Sequence, residues 1–416
     1  MMKKILPLMI IIYLISIFLM PTVDAKSKKQ DKNKNPIQVI ADAPKINMKP
    51  DKPKTWQPEL KVGLFKTSAP VKIIPDTQSI IVNPVDKKII KNLSKDTEIT
   101  IKLSNGKIII DGKTLNNNEI EIRPKNETDL KNMKTNINGK IYFGGVKLKV
   151  IKNQISVINI VTVEEYLRAV VPKEMSSSWH EEALKAQAVA ARTFSLKNRK
   201  RHENEGYDLC SNTHCQLYTG VEAANERTDE AIIKTFGEIL QYKNKLIDAL
   251  FHSDSGGMTE NAVDVWGTDF PYLRVATEIE MKTNPWTVNI KLEDFAKKLT
   301  ANKKSVGKVH FIKVTGLEIG KITSDRSSSG RVKELSIIGE AGEIKLTGLQ
   351  MRNIFNLNST LFDIGIIGDE VKISGYGWGH GVGLSQYGAN NFAEHGYSYT
   401  EILSHYYKNT ERKRLY

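Results

Sequence analysis

Cysteine is nearly absent: a chain of 416 residues holds two, Cys210 and Cys215, close together in sequence. Thiols so few and so placed cannot staple a fold of this size, so their meaning is local. Long apolar runs are equally scarce. After Met20 no segment approaches the ~20 apolar residues of a membrane span, and the remaining chain is long enough for one large core or two smaller ones. Acidic residues run short, 47 Asp and Glu against 61 Lys and Arg, for a formal charge of +14. That balance suits a polyanionic partner, although much of the excess is solvated lysine, heaviest from Lys26 to Lys54. No internal repeat is present. No Gly-Lys-[Ser/Thr] follows the glycine-rich segment Gly375 to Gly388, which argues against a phosphate loop, and no His-Glu-x-x-His offers an open zinc site with a general base.

What is present begins with a charged start, Met1-Met2-Lys3-Lys4, followed by an uncharged, mostly apolar run from Ile5 to Met20 and then Val23-Asp24-Ala25. This is the pattern of an export signal, so residues 1–25 are predicted to be a signal peptide cleaved after Ala25, with a retained membrane anchor as the alternative. Export places the protein where polyanions are teichoic acids, anionic lipid headgroups and the cell wall, and where nucleic acid is a poor partner. Residues 26–58, rich in Lys, Asp, Asn and Pro, read as a flexible basic linker.

Residues 59–416 read as one α+β body: a β-rich N-terminal platform with central helices and a substrate groove. Short β-branched runs, among them Ile80-Ile81-Val82 and Ile108-Ile109-Ile110, with Asn-Gly and Asp-Gly turns between them, mark strands over 59–161. Residues 162–285 carry the helices. Thr162-Val163-Glu164-Glu165 has capping-box spacing and Pro172 is expected to end that helix; Ser178-Trp179-His180-Glu181 is expected to open a longer one to about Lys200, rich in alanine for close packing. Residues 286–374 return to strands, and 375–416 hold the glycine-rich segment and a final helix around Tyr399 to Tyr407.

Four clusters carry candidate chemistry. Glu174 follows Pro172 and precedes the next helix, where a side chain can point into a groove. Met175 and Trp179 would raise its pKa by desolvation, whereas Lys185 or Arg192 would lower it. A lone glutamate there is otherwise a cap or an ion-pair partner. His202, Cys210, His214 and Cys215 have the residue types of a tetrahedral zinc set with no open position, which would make any zinc structural, and a small disulfide between the cysteines is the equal alternative. Ser253-Asp254-Ser255-Gly256-Gly257 is similar to the nucleophile loop of chymotrypsin-like proteases, but no Ala-His-Cys block stands upstream, so a turn lining a groove, with His252 beside it, is the better reading. In the last cluster His380 lies between glycines, free to approach a ligand, and Trp378 and Tyr387 can stack on sugar faces or fill core.

Three blocks also carry a resemblance. The run Tyr166-Leu167-Arg168-Ala169-Val170-Val171-Pro172-Lys173-Glu174-Met175 with Ala183-Leu184-Lys185-Ala186-Gln187-Ala188-Val189-Ala190-Ala191-Arg192-Thr193, then Phe251 to Thr259, then Gly377 to Ala389, resembles the SpoIID/LytB family in sequence and in order. Ala169 and Asp254 depart from its commoner residues; neither touches the Glu174 position. The resemblance implies a peptidoglycan lytic transglycosylase in sporulation or wall remodelling. It would cleave MurNAc–GlcNAc bonds of peptide-stripped glycan strands without water, with Glu174 as the acid and 1,6-anhydro ends as product. The substrate's own C6 hydroxyl then replaces the second carboxylate that ordinary glycosidases require. Lys185, Gln187, Arg192, His252, Ser253, Ser255, His380, Gln386 and Tyr387 are the substrate contacts expected within these blocks, with ion pairing as the other reading of Lys185 and Arg192. Some members hold zinc in the cysteine loop. A cell-wall amidase or a sporulation membrane protein is the kind of protein partner implied, and a non-catalytic, glycan-binding amidase enhancer is the alternative function.

Overall fold

From Glu59 onward, apolar and polar residues alternate in short runs, and each run becomes a strand. The computed structural model describes residues 57–416; the expected export signal over 1–25, and the linker over 26–58 save its last two residues, lie outside the described residues. A seven-stranded sheet runs in the spatial order Leu209–Cys210, Glu59–Thr67, Gln154–Thr162, Gly145–Ile151, Glu119–Pro124, Ser79–Val82, Ile89–Leu93. A six-stranded sheet runs Lys140–Phe143, Lys134–Ile137, Val71–Pro75, Ile99–Ser104, Lys107–Ile110, Lys113–Thr114. Leu60, Val62, Ile120 and Ile122 from the first sheet and Val71, Ile73, Ile99 and Ile101 from the second share one buried core. The hairpins close where the sequence asks for positive φ: Asn105 and Gly106 sit at 50° and 73°, Asp111 and Gly112 at 49° and 76°, as two-residue turns of this hand require.

Eight helices follow among the described residues: α1 (Val163–Glu174), α2 (Glu181–Lys197), α3 (Glu226–Lys234), α4 (Ala262–Trp266), α5 (Leu292–Ala301), α6 (Gly348–Phe355), α7 (Gln386–Glu394) and α8 (Tyr399–Tyr406). The alanines of α2 do what small side chains allow. Ala183, Ala186 and Ala190 pack with Ala389 and Phe392 of α7 and Ile402 and Leu403 of α8 in a second core.

Two helix boundaries differ from the expectation. Pro172 lies inside α1 rather than ending it; a proline so near the end removes the one hydrogen bond its own N–H would have made, and the turn still closes through Met175 N–H to Val171 O. The N-cap of α2 is His180, whose Nδ1 accepts from Glu182 N–H at 3.2 Å, while the Ser178 hydroxyl bonds Ser176 instead; α2 stops at Lys197. Thr162 likewise spends its hydroxyl on the Glu165 carboxylate, not on a backbone N–H.

Residues 286–375 fold around a third core of Phe295, Leu299, Ile337, Leu346, Met351 and Phe362. Two three-stranded sheets form there, Trp286–Lys291 with Glu370–Gly375 and Phe362–Ile367, and Val309–Lys313 with Glu334–Gly339 and Gly342–Thr347. The stretch is strand-rich, yet it also holds α5 and α6, the latter opened by a complete capping box of Thr347 and Gln350. The chain then returns. Leu384–Ser385 pairs in parallel with Phe251–His252, and the last strand, Glu411–Arg414, pairs with Glu238–Tyr242. No helix among the described residues is long and apolar enough to cross a membrane.

Candidate functional site

Glu174 is the last residue of α1, where the helix presents its unpaired carbonyl ends and disfavours a negative charge. Burial raises its pKa above the ordinary carboxylate value, and the Leu217 N–H and the Gln386 amide offset that only in part. The Leu217 N–H donates to Oε1 at 3.2 Å. Glu174 has no salt bridge among the described residues, so its partners are neutral dipoles, and the protonated acid persists to higher pH than in water.

The two cations expected to oppose this effect are engaged elsewhere. Lys185 bonds the carboxylates of Glu181 and Glu182, each at 2.7 Å. Arg192 is fully buried; it grips both oxygens of Glu164 at 2.8 and 2.9 Å and donates to the carbonyls of Ile232 and Glu238. A guanidinium so paired has no surface left for a sugar, so the expected glycan contact at Arg192 gives way to a framework ion pair.

Glu174 opens onto a cleft of about 830 Å³, whose lining includes Leu217, His252, Ser253, His380 and Gln386. Trp266, Phe270 and Arg352 line it as well. His252, 4 % exposed, places Nδ1 3.1 Å from Val382 O. A carbonyl only accepts, so Nδ1 carries the proton and Nε2 is left as a bare lone pair; that atom is buried and has no partner. Burial, with His380 and Arg331 near, holds the His252 pKa well below its usual value and keeps the ring neutral. His380 lies 5.4 Å from it, ring to ring, and 5.2 Å from Trp266; burial and the Arg352 charge bring its pKa down to about 4.

The remaining expected contacts separate into those that reach the cleft and those that do not. Gln386 does, and Gln187 stands behind it: fully buried, it accepts from Gln386 Nε2 at 3.5 Å. Ser255 is fully buried and its hydroxyl accepts from Gly257 N–H at 3.0 Å, so it holds a turn and touches no ligand space. Tyr387 borders a smaller hollow of about 200 Å³ with Asp254 and Glu278, and packs edge-on against Trp179 at 4.9 Å. Trp266, Phe270 and Arg352 carry no local motif; they become neighbours only through the tertiary fold.

The cysteine loop forms one rim of the cleft through His214 and Cys215. Both cysteines are free thiols. The donor atoms of His202, Cys210, His214 and Cys215 all lie within 4.8 Å of one another. Cys215 Sγ is 3.5 Å from His202 Nε2 and 3.7 Å from His214 Nδ1, and Cys210 Sγ is 3.6 Å from His214 Nδ1. Tetrahedral zinc with Zn–S of ~2.3 Å and Zn–N of ~2.0 Å sets sulfur and nitrogen about 3.5 Å apart, so the four donors fit that ion. Although adjacent in sequence, His214 and Cys215 face one point. His202 Nδ1 meets Glu205 Oε1 at 2.9 Å, the carboxylate support that commonly orients a ligating imidazole.

A family profile described as stage II sporulation protein matches residues 151–242, and a domain of unknown function, DUF8618, matches residues 267–383. An uncharacterized protein of Brachyspira hyodysenteriae is 33 % identical over 282 residues, which is 66 % of this chain and 73 % of that protein. Stage II sporulation protein D of Bacillus subtilis is 34 % identical over 274 residues, 62 % of this chain and 75 % of the relative. The amidase enhancer of the same organism is 31 % identical over 354 residues, 74 % of this chain but 49 % of that protein.

Proposed function

Since the chain belongs to the stage II sporulation protein D family, we propose that it is an exported lytic transglycosylase acting on peptidoglycan glycan strands. The observation that carries this reading is the state of Glu174: a carboxyl at a helix end, desolvated in a cleft, met by neutral donors and not by a cation. In the proposed reaction the protonated Glu174 donates its proton to the oxygen bridging MurNAc C1 and GlcNAc C4. The C1–O bond breaks and the GlcNAc leaves as an alcohol. The MurNAc C6 hydroxyl oxygen bonds C1, and its proton passes to the Glu174 carboxylate, which restores the acid and leaves a 1,6-anhydro ring. No water enters, and one carboxyl group suffices.

His202, Cys210, His214 and Cys215 are proposed to hold one zinc ion, which would supply a fixed crosslink. Four protein donors leave no position for a reactant. What the loop contributes to chemistry is the Leu217 N–H, placed just beyond Cys215. The fit to the amidase enhancer supports a second reading, in which the cleft holds glycan without cutting it and stimulates a partner hydrolase.

Mass spectrometry of amidase-stripped strands, incubated with full-length protein and with Glu174→Gln in parallel, separates the two. Anhydro-muramic ends from the parent alone are the expected result. Intact strands from both proteins support the enhancer reading, and reducing ends mean that water is the nucleophile.

A further inference from the structure

Most buried and half-buried arginines among the described residues are answered by carboxylates. Arg123 pairs with Glu59 and Glu121, Arg168 with Asp229, Arg192 with Glu164, Arg326 with Asp363 and Arg412 with Glu238. Arg331, without a direct ion pair, is satisfied by the carbonyls of Ser255 and Met258 and lies in the field of Glu260. Arg352 has no carboxylate partner and a single carbonyl one. On α6 it lines the cleft, donates Nε to Leu357 O at 3.2 Å, and forms no ion pair among the described residues. Its two terminal nitrogens, the prongs of the guanidinium, have no hydrogen-bond partner there. Burial alone pulls its pKa below the ordinary arginine value, with no carboxylate to push back.

A partly desolvated cation without a counter-charge is costly to the folded state, and such groups are kept where a ligand completes them. An independent observation points to the same space: His252, 4 % exposed, lines the cleft with an Nε2 that is buried and unpartnered. One group there lacks an anion and the other lacks a hydroxyl or amide donor. A planar, two-pronged guanidinium is matched best by a carboxylate.

On the glycan-cleft reading proposed above, on which this inference rests, a bare strand carries one kind of carboxylate, the lactyl group of the muramoyl sugar. A stem peptide converts that group to a neutral amide. We propose that Arg352 is the residue that reads the free lactyl carboxylate of the peptide-stripped strands that the family resemblance implies as substrate. The segment around the third core, carrier of α6, thereby supplies a specificity residue to a cleft whose proposed acid lies on α1.

The test is a binding measurement, independent of cleavage. Isothermal titration calorimetry on full-length Glu174→Gln protein uses four probes: a muramoyl–glucosamine tetrasaccharide with free lactyl carboxylates, its lactyl methylamide, the same tetrasaccharide bearing a stem dipeptide, and chitin tetraose. The free carboxylate is expected to bind roughly tenfold or more tighter than the methylamide, as a charge-assisted, two-pronged contact warrants. Adding Arg352→Gln is expected to bring the two within about twofold and leave chitin binding unchanged, while Arg352→Lys retains part of the preference. Equal binding of free acid and methylamide, or a preference that survives Arg352→Gln, overturns the assignment. Tighter binding of the dipeptide form reassigns Arg352 to stem-peptide carboxylates and also overturns it. If Arg352→Gln fails to fold, the ligand comparison in the Arg352-containing protein and the Lys variant decide. Absence of binding to every probe defeats the glycan-cleft reading itself, whereas a lactyl preference without anhydro ends defeats only the lyase reading.

Discussion

The backbone N–H of Leu217 donates to Oε1 of Glu174 at 3.2 Å, and Leu217 lies two residues beyond Cys215, a donor in the four-residue metal set. The Tyr166 hydroxyl fixes the intervening Gln216 at 3.0 Å. The cysteine loop is thus joined to the Glu174 carboxyl through Gln216 and the Leu217 N–H, and what holds the loop also holds that carboxyl.

Zinc analysis of the purified full-length protein is expected to give one ion per chain, lost in Cys215→Ser. Removing the ion should lower the thermal midpoint by several degrees, since binding to the native state alone adds stability. Activity should fall without vanishing. Because the Leu217 N–H helps to hold the Glu174 pKa down, loosening the loop should also move the alkaline limb of the kcat profile to higher pH. An unmoved limb would dissociate the loop from the acid.

On the lyase reading, replacing Glu174 with Gln removes the proton donor and keeps the shape. The rate should drop by roughly 10² to 10⁴, the usual worth of general acid catalysis, with circular dichroism unchanged. In the parent protein, activity should decline as pH rises through the elevated Glu174 pKa, because the working form is the protonated one. A profile that rises across neutral pH would exclude this role.

Arg192 and Glu164 are expected to report on stability alone. Glu164→Gln leaves a buried guanidinium short of its counter-charge, and chemical denaturation should register a loss of about 3–5 kcal/mol. Arg192→Met together with Glu164→Leu should recover much of it. A large loss of glycan affinity in the folded double variant would return Arg192 to the binding surface.

Glu278 is buried, accepts from the Tyr406 hydroxyl at 3.0 Å, and burial lifts its pKa to about 7. Between the ordinary glutamate value of 4.5 and about 7 the folded state holds a proton that the unfolded chain releases, so this group's contribution to stability is greatest below that window and declines as pH rises through it. Glu165, lifted to about 7 by burial, acts in the same direction. His252 and His380, held neutral in the fold, act in the opposite direction below about 6.5, so the comparison is between parent and Glu278→Gln: from pH 4 to pH 8 the parent should lose thermal midpoint relative to the variant. An equal slope in the variant would show that Glu278 is not the group titrating.

Much of this was legible in the sequence, and the rest was not, for physical reasons. Strand-forming runs separated by Asn105-Gly106 and Asp111-Gly112 announce hairpins because both turn positions need positive φ. The α+β organisation and the setting of Glu174 follow from such local rules and from the resemblance of three blocks. Pro172 misleads because proline chemistry identifies a lost hydrogen bond but not whether the helix has already reached its last turn. Arg192, Gln187 and Ser255 share motifs with cleft residues, yet periodicity does not say which side of a buried helix or turn faces ligand. Arg352 is invisible for the opposite reason. Its single distinguishing property is the lack of a carboxylate, and that is a property of everything packed around it.

The short parallel pairing of Phe251–His252 with Leu384–Ser385 has a consequence in time as well as in space. Glu174, His252, Arg352 and Gln386 come from four distant stretches of chain, and the late strand beside Gln386 must cross back to an early one before they share a cleft. No fragment ending before that strand carries the complete set. On the lyase reading proposed above, the cutting edge is complete only once the chain has been made as far as Gln386 and has returned to the strand at Phe251, a safeguard that lies in the order of assembly.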